Sequence, residues 1–216
     1  MRVGQVVTSR VKGGQVEAAV TAAVEIAGLV SRHGGDVHFH LTTVAGEDVN
    51  STVFSIDYES PEALGAAFDA MADDAEIQAF TTRFNGPDSP SEVTSTSMTM
   101  ELPLGRDPKP GQGGILEVHL GKPNPGRIAD VLNEAAEVCE FVEANGAVNA
   151  RLVQLTYAGM ASGMTAFTWE LENMAAHARL GDAWFSDAGL ALQARTAGAN
   201  PASISISSSL YTRIPV

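Results

Sequence analysis

Polar and apolar residues alternate from the start of the chain. MRVGQVVTSR has a period close to two, which predicts a short strand. From roughly Gly14 to His33 the spacing changes. Val16, Val20, Ala23, Val24 and Ala27 fall on one face and Glu17, Thr21 and Glu25 on another, the signature of a helix. Alternation returns in DVHFHLT and TVFSIDYES, two further strands. Ser60-Pro61 then opens a second helix, with serine as N-cap and proline in the first turn. VTSTSMTMEL is again strand-like. A proline- and glycine-rich stretch, PLGRDPKPGQGG, follows and reads as a linker.

Beyond the linker the pattern starts again. A helix opens with GQVEAAV at Gly14 and with GRIADV at Gly126, an offset of 112 residues (126 − 14). Val37, Phe39 and Leu41 keep step with Val148, Ala150 and Leu152. TVFSIDYES pairs with TAFTWELEN, so Phe54 meets Phe167 and Ile56 meets Trp169. DAEIQA at Asp74 pairs with DAGLAL at Asp187, and STSMTMELP with SSSLYTRIP. In the second copy Asn124 is the expected N-cap, Pro125 the first helical residue, and Gly146 the helix stop. Asn173 is the expected opening of the last helix. The organisation expected is a first repeat over 1–102, a linker over 103–113 and a second repeat over 114–216.

Each copy reads strand, helix, strand, strand, helix, strand. That is the ferredoxin-like split motif, an antiparallel sheet with its helices on one face. The other face needs cover. Burying one sheet against the other removes apolar area from water at about 25 cal/mol per Å². It also lets the outer strands pair between copies and hides their edges. The expected fold is therefore α+β: two β-α-β-β-α-β repeats forming an eight-stranded α/β barrel with helices outside.

Composition narrows the partners. With 26 acidic and 13 basic residues the formal net charge is −13. Such a surface repels nucleic acid and anionic membranes, and no apolar run approaches a membrane span. The single cysteine, Cys139, excludes an internal disulfide framework. It shares a helical face with Val131, Ala135 and Val142, which predicts a buried thiol. The N-terminus lacks a signal pattern, so a cytoplasmic setting is expected. A hydrophobic small molecule is the expected partner, with the barrel closing in a monomer or across a homodimer.

At this point the chain resembles the dimeric α/β-barrel superfamily in tandem-fused form. AFTWELENMAAHARLGDAWF, Ala166 to Phe185, resembles the antibiotic-biosynthesis monooxygenase pattern, with Trp169 ending the third strand and His177 on the next helix. The resemblance implies several activities: cofactor-free oxygenases of aromatic polyketides, polyketide cyclases, haem-degrading oxygenases and lactone isomerases. Fold does not choose among them. In the haem-degrading relatives the helix histidine ligates iron. Those relatives also carry an asparagine on the first strand, where this chain has Val118-His119. No cofactor is the leading expectation, with a haem or small-ligand carrier and a structural, oligomerising barrel as alternatives.

Asymmetry between the copies selects candidates. His119, Trp169 and His177 stand where the first copy has Val7, Ile56 and Leu64. Trp184 and Tyr211 add rings to the second half. A flat aromatic substrate would stack on Trp169, Trp184 and Tyr211. His177 or His119 would remove a phenolic or enolic proton, and Arg151 would stabilise charge developing on oxygen. His38 and His40, two apart on a strand, share a face. With Asn149, which matches His38 in the second copy, they are expected to line a wet barrel interior or an exposed face, or to orient a ligand by hydrogen bonds. No further ligands accompany them, so no metal site is expected. No phosphate-cradling loop or nucleophile elbow is present.

Overall fold

The computed structural model describes residues 1–44, 49–196, 198 and 200–216. Its first half runs β1 (Val3–Val11), α1 (Val16–Ser31), β2 (Asp36–Val44), β3 (Ser51–Tyr58), α2 (Pro61–Asp73), α3 (Ala75–Phe84) and β4 (Ser91–Glu101). The second runs β5 (Ile115–Pro123), α4 (Ile128–Ala144), β6 (Val148–Tyr157), β7 (Thr165–Leu171), α5 (Met174–Trp184), α6 (Asp187–Thr196) and β8 (Ser203–Ile214).

All eight strands close into one antiparallel barrel in the order β1-β3-β2-β8-β5-β7-β6-β4. Each half contributes four neighbouring strands in the same internal order, β4-β1-β3-β2 and β8-β5-β7-β6. Two seams join them. At one, Phe39 lies opposite Ile214 and His40 opposite Arg213. At the other, Met98 lies opposite Tyr157 and Glu101 opposite Val153. Closure satisfies the strand edges that each half alone would expose.

Local chemistry explains most element boundaries. Ser60 Oγ accepts from the Ala63 N–H at 3.1 Å, and Asn173 Oδ1 from the Ala176 N–H at 3.0 Å, so both N-caps form as the sequence suggests. Two boundaries differ. Each expected second helix is a pair of helices; in the first half Asp74 adopts an extended backbone and caps α3 from its side chain (2.9 Å to Glu76 N). α4 begins at Ile128 rather than Pro125. Asn124 is engaged elsewhere: its amide donates to Pro201 O at 2.8 Å and its backbone N–H to Ala202 O at 2.8 Å. Pro125-Gly126 forms a turn instead, with Gly126 at φ 76°, a conformation glycine tolerates.

The apolar clusters lie under the helices, outside the barrel. One joins Val3, Val30, Ile56, Tyr58, Leu64 and Ala67. Another joins Ile115, Cys139, Val142, Trp169, Leu171 and Leu180. The strands' other face, turned inward, mixes Val and Leu with Ser, Thr, His and Arg and encloses free space. The apolar burial expected between the sheets is therefore found mainly between sheet and helices.

The segment from residue 103 to 113 carries neither helix nor strand, yet it is tied down across one end of the barrel. Arg106 pairs with Glu143. The Lys109 N–H donates to Glu143 at 2.8 Å, and the Gly113 N–H to Glu170 at 2.7 Å. A Cβ at Gly113 would fall 2.4 Å from the Leu171 carbonyl oxygen, so only glycine allows this close approach. Among the described residues no helix is long and apolar enough to cross a membrane.

Candidate functional site

Strand β5 reads ILEVHL, and its alternate residues Ile115, Glu117 and His119 face the helices. In register, Glu117 lies opposite Trp169 and His119 opposite Phe167. Helix α5 packs over this surface through Ala176 and Leu180. The same packing sets His177 against the strand.

Glu117 is the centre of the cluster and is only 8% exposed. Its Oε2 accepts from the Trp169 indole N–H at 3.1 Å and from His177 Nδ1 at 3.1 Å. Its Oε1 accepts from His119 Nε2 at 2.7 Å. The His119 ring stacks on Trp169, with ring centroids 4.7 Å apart and planes inclined by 24°. Burial pushes the Glu117 carboxyl up, but the hydrogen bonds from His119 and His177, and the charge these rings carry when protonated, outweigh it and hold the group below the usual carboxylate range.

An ionised carboxylate only accepts, so the two imidazole nitrogens facing Glu117 carry protons. His119 is then fully engaged: Nε2–H donates to Glu117 while Nδ1 accepts from the Ser208 hydroxyl at 2.8 Å. His177 differs. Its Nδ1–H is held by Glu117, and its Nε2 has no hydrogen bond among the described residues. About 31% of the His177 side chain is exposed, so this nitrogen's lone pair is presented at an open edge. That geometry suits a general base whose imidazolium form the carboxylate would stabilise. Among the described residues no group of three His, Cys, Asp or Glu side chains is arranged to hold a metal ion.

The other predicted residues divide between two further places. Trp184 ends α5 and packs on Phe141, with ring centroids 4.6 Å apart. His38, His40, Asn149, Arg151 and Tyr211 line the barrel interior, on the opposite side of the sheet from His177. Arg151 reaches Asp57 at 3.4 Å rather than the outer cluster. The single pocket formed by Trp169, Trp184, Tyr211, His177 and Arg151 that the sequence suggests is thus divided by the sheet itself. His38 Nδ1 accepts from Arg213 at 2.7 Å, and the Asn149 amide donates to Glu170 at 2.8 Å. Asn149 has φ 58° at an irregularity in the β6–β7 pairing, a left-handed conformation that asparagine adopts more readily than most residues.

Sequence reading missed Glu117, Asp57, Glu170 and Arg213. For Glu117 a signal existed: Glu117 and His119 are two apart on a strand, the same spacing that drew attention to His38 and His40. Asp57 and Glu170 sit at matching ends of β3 and β7, each the one charged residue of its strand.

No family model matches the chain, and no curated protein matches it either. Solved structures do. A provisionally assigned monooxygenase of Fusobacterium nucleatum subsp. nucleatum superposes with a TM-score of 0.63 at 8% identity, covering 99% of this chain and 93% of that one. An anthrone oxidase-like protein gives 0.59 at 13% identity over 99% and 92%. A chlorite dismutase variant from Candidatus Nitrospira defluvii gives 0.56 at 14% identity over 99% and 92%. At such identities the likeness concerns architecture alone. The chain has the ferredoxin-like dimeric α/β-barrel fold, closed here by the two halves of a single polypeptide.

Proposed function

We propose that the protein is a small-molecule enzyme that removes a proton from a hydrophobic, aromatic or polyketide-like substrate, as a cofactor-free monooxygenase or a cyclase. One observation carries this reading: a single buried carboxylate, Glu117, anchors both histidines and the indole and leaves His177 Nε2 unengaged. His177 takes a phenolic or enolic proton at Nε2. Glu117 stabilises the resulting imidazolium, and His119, stacked on Trp169, holds the carboxylate in place. The substrate anion then either condenses internally or attacks dioxygen. In the second case the hydroperoxide loses water, so a CH₂ becomes a carbonyl and one oxygen atom leaves as water.

The anthrone oxidase-like neighbour suggests the first probe. Oxygen uptake with a hydroxyanthrone should be saturable, and His177→Ala should lower kcat by about 10²–10⁴-fold, the usual contribution of a general base. Circular dichroism should show the variant folded. Equal rates in wild type and variant would remove His177 from the mechanism.

A haem-carrier reading draws on the same imidazole, since an anchored Nδ1–H suits an axial ligand. The surroundings do not fit a porphyrin. The sheet surface beside His177 is covered by the His119–Trp169 stack, and Trp169 is 3% exposed. No step is therefore assigned to haem.

A further inference from the structure

The barrel interior is a separate space. It forms a chamber of about 530 Å³, in the range of small-molecule pockets. At one end it meets a vestibule of about 940 Å³, partly walled by the 103–113 segment. Arg2, His38, Glu101, Asn149, Arg151 and Glu170 line both spaces, so a charged layer separates them. Arg151 of that layer faces Asp57 at 3.4 Å, though its buried Nε makes no hydrogen bond, and on the vestibule side Arg213 faces Glu170 at 3.3 Å.

His40 lines the chamber, is 3% exposed, and has no hydrogen-bond partner on either ring nitrogen. Leaving a buried polar group unmade costs about 1–3 kcal/mol, so such groups are normally met by something. Burial, then the charges of Arg213 and His38, push its pKa down to about 3, so the ring is neutral, with one N–H donor and one lone pair. The remaining wall divides between aliphatic side chains, among them Val53, Leu116, Val118 and Leu120, and hydroxyls such as those of Ser55 and Ser97. A ligand carboxylate or ammonium would have to shed water, and the counter-charges it could meet, Arg2, Glu101 and Arg151, lie in the layer shared with the vestibule.

We infer that the barrel interior is a binding site for an uncharged, hydroxyl-bearing apolar molecule, such as an alkylphenol or medium-chain alcohol, whose hydroxyl bonds to His40 and whose hydrocarbon lies along the aliphatic wall. A hydroxyl both donates and accepts, so it matches either tautomer of the ring. This site lies across the sheet from His177 and does not depend on proton transfer there.

The test uses the full chain with 4-propylphenol and 1-octanol as probes. Propylbenzene and octanoate serve as comparison compounds. Calorimetry and the imidazole ¹⁵N shifts of His40 are the readouts, the latter assigned with a His40→Gln variant. Saturable binding of both hydroxyl compounds is expected, with His40 nitrogens shifting. Propylbenzene and octanoate should each bind at least about tenfold weaker, the discrimination one hydrogen bond worth about 1.4 kcal/mol provides. His40→Phe should narrow the gap between propylphenol and propylbenzene. The inference falls if no probe shifts His40 saturably, if propylbenzene matches propylphenol in wild type, or if octanoate binds tighter than octanol. The first comparison needs only wild-type protein, so a variant that fails to fold does not protect the idea.

Discussion

Trp169→Phe is the sharpest probe of the outer cluster, because it keeps an aromatic ring against His119 and removes one hydrogen-bond donor. The lost bond runs from the indole N–H to Glu117 Oε2 at 3.1 Å, between residues 3% and 8% exposed. Hydrogen bonds to charged groups contribute roughly 1.5–3 kcal/mol. Oε2 keeps His177, so the carboxylate is not left bare and the lower half of that range applies. A smaller ring also leaves a void; roughly 40 Å³ at ~24 cal/mol per Å³ adds about 1 kcal/mol. The expected loss is about 2–3 kcal/mol, read by urea denaturation at pH 7 with far-ultraviolet circular dichroism. A double-mutant cycle with Glu117→Ala should return a coupling of about 1–2 kcal/mol. Trp184→Phe, on the ring packed against Phe141, is the control and should not couple to Glu117. A loss under about 1 kcal/mol, or a coupling under about 0.5 kcal/mol, would refute the anchored-carboxylate argument.

Three other outcomes follow from the structure. Glu117 titrates below the usual carboxylate range in the folded protein, so its stabilisation is present above about pH 4.3, the unfolded value, and fades as pH falls through the folded value. Glu117→Gln should therefore flatten the acid limb of the stability curve, and an unchanged limb would count against it. Burial pushes the Cys139 thiol up to about 12, so a thiol reagent at pH 8 should label the protein only after denaturation; prompt labelling in native buffer would contradict this. Asn149 sits at φ 58°, so Asn149→Val should cost about 1–2 kcal/mol more than Asn149→Gly in chemical denaturation, and the reverse order would be inconsistent with the backbone there.

The fold was legible because its signals are local and repeated. Period-two and helical stretches recur at a near-constant offset, and Ser60 and Asn173 mark helix starts that the structure realises. Asn124 misled, since a capping residue type does not reveal that the amide is already held by Pro201. The site was legible by residue type but not by side. His177, His119 and Trp169 converge, whereas Tyr211 and Arg151 face the barrel interior. Strand parity separates these two sets only once each residue is placed in register. Glu117 escaped notice because an acid on a strand usually reads as solvated. Its burial depends on α5, which lies about sixty residues further along the chain.

A ring assembled from two identical subunits must carry every side chain twice. This ring does not. Glu117, His119, Trp169 and His177 correspond by offset to Gln5, Val7, Ile56 and Leu64, and the last two are packed in the other half's apolar cluster. Any chemistry at the carboxylate therefore has a stoichiometry of one per polypeptide, with no twin to compensate for its loss. A tight inhibitor should titrate it to completion at a single equivalent.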